Sequence, residues 1–484
     1  MNQEQNKRIP SPLVSLIPVA VLVVMLFVVI RNFGSDTLEG GSQISLMMAT
    51  SVCALIVMLF YKQRWQDLEN AVSANMKAVT VGIVILLLIG SVAGTWMVSG
   101  VVPSLIYYGL NIIHPHFFLV STCIICAVVS VMTGSSWTTV ATIGVALIGI
   151  GKAQGFDVGW IAGAIISGSY FGDKISPLSD TTVLASSSAE TPLFTHIRYM
   201  LITTVPSMFI ALAIFTVAGL NYDTASSEHI YRFARSLENT FHITPWLLVV
   251  PVVTGIMIAF RLPSVITLFF SSVLAGIFLL VFQSHLLPQI VGSDEIDFAT
   301  MFKGLMISFY GDTNIDTGSA ELTDLVSTTG MGGMLNTIWL IICAMCFGGV
   351  MTGSGMLQSI TSVILKWVKG RAGAVTSTVS TGLFFNLCTA DQYLSIILTG
   401  NMFKGLYKKI GLESRLLSRT VEDSVTVTSP LIPWNTCGMT QATVLGVPTV
   451  VYLPYCFFNI ISPLMSIIIA VIGYKIYRQS KKDV

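Results

Sequence analysis

Apolar runs of about twenty residues recur from one end of this 484-residue chain to the other. Each is long enough to cross the hydrocarbon core of a bilayer as a helix. A chain built this way has few folding options, because lipid cannot satisfy open backbone groups and only helices or closed barrels span it. With 10% charged residues against 53% hydrophobic ones, well below the roughly 25% charge of a soluble domain, the fold class is an all-α polytopic membrane protein. We place spans near 12–31, 42–61, 78–98, 157–190, 199–220, 244–261, 263–283, 336–356, 418–446 and 449–474. The first run is followed by "RNFG", not a small-residue cleavage site, so it reads as a retained helix.

Lys and Arg placement orients the spans. Lys7 and Arg8, then Lys62, Arg64 and Lys77, then Lys366, Lys369 and Arg371 form three basic clusters. Lys404, Lys408, Lys409, Arg415 and Arg419 form a fourth, and Lys475, Arg478, Lys481 and Lys482 a fifth. All are expected on the cytoplasmic side, with both termini. Segment 284–335 has Lys303 as its one base and is expected outside, as is 221–243, although Arg232 and Arg235 weaken that reading. The apolar pair 116–150 then starts and ends outside, and the pair 372–403 starts and ends inside. Two helical hairpins therefore enter from opposite faces.

The hairpins are also related in sequence. "MVSGVVPSLI" (97–106) matches "MTGSGMLQSI" (351–360), and "VMTGSSWTTVATIG" (131–144) falls over "FNLCTADQYLSIILTG" (385–400), both at an offset of about 255. "ISPLSDTT" (175–182) falls over "TSPLIPWNT" (428–436) at about 253. We divide the chain into an N-terminal helix (1–41), a first repeat (42–220, hairpin 116–150, broken helix 157–190) and an external linker (221–243). A second repeat of inverted topology (244–475) holds an external loop 284–335, the hairpin 372–403 and a broken helix 418–446, before a cytoplasmic tail (476–484). Opposed repeats with broken helices are the architecture of secondary transporters, whose sites lie at the repeat interface. Proline breaks the helix and frees carbonyls, and nearby hydroxyl, amide and carboxylate oxygens suit a hard cation.

The polar residues near these breaks are the candidates. An unpaired carboxylate at mid-membrane costs about 2.5–3.5 kcal/mol on insertion scales and needs a partner, a proton or an ion. Asp180 follows the Pro177 break and is expected to cap the second half-helix and bind the cation. Asp173 is a proton-carrier candidate. Lys174 is expected either to pair with Asp173 or Asp423 or to meet an anionic cargo. Asp391 and Gln392 occupy the second hairpin tip, where the first hairpin has Ser135, Ser136 and Thr138. Asp391 reads as a tip cap, a cation ligand or a proton site, so Na+ is expected at Asp180 and Asp391. Asp423 is a further ion or proton candidate, while Glu422 is read as snorkelling toward the cytoplasm with Arg419. Ser176, Ser179 and Thr181 would assist, with Asn435 and Thr436 standing opposite Asp180 and Thr181.

Other features read blandly. The CxxC pairs Cys123–Cys126 and Cys343–Cys346 lie mid-span and read as packing residues. The histidines fall at span ends or in loops, with His196 and Arg198 a candidate pH sensor. "RWQDLENAVSANMKAV" (64–79) reads as an amphipathic helix along the membrane surface. Net charge near zero argues against nucleic acid, and no zinc, Walker or dinucleotide motif is present.

"TGSSWTTVATIG", "GSYFGDKISPLSDTT" and "SPLIPWNTCG" resemble the signatures of the NhaC family of sodium/proton antiporters, over most of the chain. The resemblance implies a bacterial inner-membrane protein exchanging Na+ for H+, with no cofactor. It equally covers a branch exchanging malate for lactate with Na+ and H+, so a small carboxylate is the alternative cargo. The expected partners are the bilayer, Na+, H+ and a second copy in a homodimer. A channel fits broken, opposed hairpins less well than alternating access does. An intramembrane aspartyl protease would need GxGD, and "SYFGD" lacks its first glycine.

Overall fold

The computed structural model describes residues 9–477 except 34–39, 223–224, 261, 294, 296, 367 and 369. Lys7, Arg8, Lys369, Arg478, Lys481 and Lys482, which helped to orient the spans, lie outside the described residues.

The described residues are helical almost throughout. Eight helices are long and apolar enough to cross a membrane, or up to ten if each of two sharply bent pairs is one span. They include Pro12–Phe33, Gly41–Tyr61, Val79–Val98, Leu193–Asn221, Ser264–Phe282 and Gly332–Gly353. Their outer faces present apolar side chains such as Phe27, Phe60, Phe209 and Val281 to the surroundings, as lipid requires.

The helices that fail that count are the informative ones. Val158–Ile175 and Asp180–Ser188 form the first broken helix. Ser414–Val421 runs into a π-helical turn, Glu422–Thr426, then a 3-10 turn at Ser429–Leu431, and the chain resumes as Thr436–Leu445. Prolines 177, 430 and 433 stand in the two gaps. Ahead of each broken helix stands a hairpin. The first pairs Phe118–Thr133 with Ser136–Ala153, the second Gly370–Thr389 with Gln392–Lys409. Both tips end inside the protein, with Ser136, Asp391 and Gln392 buried.

Small residues allow these elements to approach closely. In "GSYFG", Gly168 and Gly172 face the first hairpin. A Cβ there would lie 2.1 Å from the Cys123 carbonyl oxygen and 2.4 Å from that of Ala127. Gly134 turns the first tip with φ of +66°, and Ala390 turns the second with φ of +56°.

One expectation changes, and the two segments read as external each carry a helix. Residues 64–79 do not form a separate surface helix. They are the first half of a continuous 34-residue helix, Trp65–Val98, because no breaker separates them from the span. Segment 284–335 is folded, with Phe298–Tyr310 packed so closely on that helix that a Cβ on Gly94 would meet the Ser308 carbonyl oxygen at 2.2 Å. Segment 221–243 carries an amphipathic helix, Ser227–Thr240, capped by Ser226 and burying Phe233 and Leu237.

Candidate functional site

Both hairpin tips and both helix breaks converge on one cavity of about 690 Å³. Ser135, Ser136 and Thr138 come from the first tip, and Asp391, Gln392 and Tyr393 from the second. Asp173, Ser179, Asp180 and Thr181 come from the first broken helix, and Thr436 from the second. Val79, Gly82, Ile85, Trp137 and Leu184 complete the wall, which reaches the connection at Leu262, Pro263 and Ser264. Among the described residues the cavity is lined by three carboxylates and by no Lys, Arg or His.

The tips are built alike, 256 residues apart. Ser135 caps the helix after the first tip by accepting from the Thr138 amide, and Asp391 caps the second by accepting from the Leu394 amide at 2.9 Å. Thr133 accepts from the Ser135 amide and donates to the Ser135 carbonyl; Thr389 does the same for Asp391. Thr139 and Ser395 each donate back to the carbonyl of their cap. Deeper in the hairpins, Ser130 donates to the Ser169 carbonyl at 2.6 Å, and Asn386 to the Val425 carbonyl at 2.7 Å.

The same offset ties each tip to its broken helix. Asp173 Oδ2 accepts from the Ser136 amide at 3.1 Å and its hydroxyl at 2.7 Å. In the second unit Ser429 donates to Gln392 Oε1 at 3.0 Å. Asp173 Oδ1 accepts from Ser179 at 2.5 Å. Asp391 Oδ2 accepts from Thr436 at 3.2 Å. Charge-assisted bonds of this kind are the stronger ones, so both carboxylates hold the breaks against the tips.

Asp180 differs from both. The cap of its half-helix is Ser179, which accepts from the Thr182 amide. Asp180 is therefore a first-turn residue, not the cap expected from sequence. It is exposed to the cavity, and among the described residues its carboxylate accepts no hydrogen bond. Asp180 thus lies in the first turn of its half-helix and lines the same cavity as Asp391, Ser135 and Thr436, all of which carry side-chain oxygens. The caps also correct the register. Asn435 caps the second half-helix through the Cys437 amide, so it stands opposite Ser179, and Thr436 stands opposite Asp180. Ser176 turns inward, donating to the Val131 carbonyl at 2.8 Å, and does not line the cavity.

Lys174 and Asp423 form a separate, fully buried cluster. Lys174 Nζ contacts Asp423 Oδ1 directly and donates to Ser462 at 3.0 Å. Thr203 donates to the same carboxylate oxygen at 3.0 Å. Arg419 was expected in a cytoplasmic cluster. It is buried over the Tyr199 ring, with Nε 3.7 Å from Asp423 Oδ2, an ion pair too long to be a hydrogen bond. Glu422 does not snorkel either: it is fully buried and accepts from Thr181 at 3.2 Å. His196 is likewise buried, bonded to Ser418 at 2.9 Å, rather than lying at an interface. Sequence reasoning missed Glu422 as a site neighbour. The available signal was its adjacency to Asp423, since neighbouring helical residues point about 100° apart and only one can meet Lys174.

Known proteins resemble this chain over most of its length. The family model described as the Na+/H+ antiporter family matches residues 3–191 and 168–474. The Na+/H+ antiporter NhaC of Alkalihalophilus pseudofirmus is 37% identical over 425 residues, 87% of this chain and 89% of that protein. NhaC of Bacillus subtilis is 34% identical, covering 85% and 88%. The malate-2H+/Na+-lactate antiporter of Bacillus subtilis is 36% identical, covering 84% and 85%. This polytopic membrane protein belongs to the Na+/H+ antiporter family.

Proposed function

We propose that the protein is a secondary active transporter, not an enzyme, and that it exchanges Na+ for H+ across the bacterial cytoplasmic membrane. One observation carries the reading: among the described residues, the cavity where both tips and both breaks meet holds three carboxylates and no basic side chain. Asp180 and Asp391 are the proposed Na+ ligands, assisted by Ser135 and Thr436. Sodium favours the ionised carboxylates and a proton competes with it, which couples the two fluxes.

The architecture in this proposal is two units, residues 42–220 and 244–475, of opposite topology. Recurrence of the tip and break hydrogen bonds at a constant offset supports two like units, and the Lys/Arg clusters support their opposed orientation. On that orientation, with both termini cytoplasmic, the connection at Leu262, Pro263 and Ser264 lies on the cytoplasmic side. The cavity that reaches it is then the inward-facing one.

A second reading keeps the site and adds cargo. A volume of about 690 Å³ is far more than one bare ion needs, and one relative is named for malate and lactate. A small carboxylate would then enter with Na+ as its counter-charge, because Lys174 is held by Asp423 and does not line the cavity. Reconstituted protein separates the readings. Sodium-driven proton flux without any organic acid supports the first; flux that appears only with malate or lactate present supports the second.

A further inference from the structure

Four oxygens run in a line from behind the cavity to its wall. Thr181 Oγ1 lies 3.2 Å from Glu422 Oε1, Ser179 Oγ lies 2.9 Å from Thr181 Oγ1, and Asp173 Oδ1 lies 2.5 Å from Ser179 Oγ. All four residues are buried. Asp173 lines the cavity and Glu422 does not.

Counting protons constrains this line. Three contacts need three protons, and each hydroxyl supplies one. If both carboxylates are ionised, Thr181 donates to Glu422 and Ser179 to Asp173. The 2.9 Å contact between the hydroxyls then sets lone pair against lone pair. One further proton removes the conflict. When Glu422 carries it, Glu422 donates to Thr181, Thr181 to Ser179, and Ser179 to Asp173. When Asp173 carries it, every bond runs the other way.

We propose that Glu422 and Asp173 share one transported proton through the hydroxyls of Thr181 and Ser179. In the transfer, the O–H bond at one carboxyl breaks, each hydroxyl passes on one proton while receiving another, and an O–H bond forms at the other carboxyl. A cation arriving beside Asp173 favours that residue's ionised form. The proton therefore moves to Glu422, out of the cation's cavity, instead of leaving through it. Glu422 becomes the proton carrier, and the Thr181–Ser179 pair the coupling element.

The surroundings suit a single mobile proton. Lys174 and Asp173 of Val158–Ile175 and Asp180 of the next half-helix stand on the side of the first broken helix. Arg419 and Asp423 flank Glu422 on its own helix. His196, from Leu193–Asn221, is bonded to Ser418 one turn earlier, and Tyr407, from Gln392–Lys409, to Thr378. Gly370–Thr389 and Phe457–Ile472 present neutral groups here, Asn386 and Ser462. Lys174 and Arg419 are matched by Asp423 and by one charge shared between Asp173 and Glu422.

This inference rests on the cation-exchange reading, and the test keeps the two apart. In liposomes holding the full chain, labelled Na+/Na+ exchange requires cation binding but no net proton movement, whereas Na+-driven proton flux requires both. Glu422→Gln, at a residue outside the cavity, should lower proton flux at least tenfold while Na+/Na+ exchange persists; Thr181→Val should lower proton flux as far, and Thr181→Ser should restore it. Persisting Na+/Na+ exchange also reports that the variant is folded. Wild-type proton flux in either variant would overturn the relay, as would loss of Na+/Na+ exchange by a folded Glu422→Gln. A wild-type protein that performs neither exchange would instead overturn the cation reading beneath it.

Discussion

Ser136 donates both its backbone amide and its hydroxyl to one oxygen of Asp173, at 3.1 and 2.7 Å. This pair joins the first hairpin tip to the end of the helix before the break. Replacing Ser136 by Ala leaves Asp173 Oδ2 with the amide alone. A hydrogen bond to a buried charge contributes roughly 1.5–3 kcal/mol. Ser136→Ala should lower thermal stability in detergent by an amount of that order. It should also raise the Na+ concentration needed for half-maximal transport.

The Lys174–Asp423 pair makes an asymmetric prediction. Removing one member of a buried ion pair costs about 3–5 kcal/mol, because the other charge is left uncompensated. Asp423→Asn strands both Lys174 and Arg419. Lys174→Met leaves Asp423 with Arg419 still 3.7 Å away. Asp423→Asn should therefore be the more destabilising of the two, as read by the unfolding midpoint of purified protein.

Gly168→Ala places a methyl group 2.1 Å from the Cys123 carbonyl oxygen. Neither backbone can yield without separating the broken helix from the hairpin. Overpacking of this kind costs about 1–3 kcal/mol. The variant should unfold at lower temperature and accumulate poorly in membranes, whereas Gly255→Ala, with open space around it, should behave as wild type.

Outside the spans, Asp297 caps Phe298–Tyr310 by accepting from the Thr300 amide at 2.7 Å. That bond holds its carboxyl below the usual carboxylate range. With the folded value depressed, the cap's contribution is present above the ordinary carboxylate pKa and is lost as pH falls through the folded one. The protection factor of the Thr300 amide, its exchange corrected for the intrinsic pH dependence, should fall on the acid side. In Asp297→Ala the protection should be low at every pH and the acid step should vanish.

Much of this architecture is written in composition and spacing. Apolar runs of membrane-crossing length mark spans, and proline inside a polar stretch marks a break. The Thr–x–Ser and Thr–x–Asp tips can be recognised because a short polar turn between two apolar helices has few other roles. Alignment on Pro177 and Pro430 still placed Asp180 one residue out of register, since proline fixes where a helix stops but not which residue caps the next one. The burial of Arg419 and Glu422 was also illegible. A charged residue near a span end snorkels or is enclosed according to what packs over it, here Tyr199 and the Thr181 break, and those contacts are more than 200 residues apart in sequence.

The most direct test concerns Asp180, the one cavity carboxylate that accepts no hydrogen bond among the described residues. In liposomes carrying a pre-formed pH gradient and the purified protein, added Na+ should dissipate that gradient. With Asp180→Asn, which keeps the size of the side chain and removes its charge, the response should fall to the level of empty liposomes. Full sodium-driven dissipation by Asp180→Asn, or none by the wild-type protein, would contradict the account.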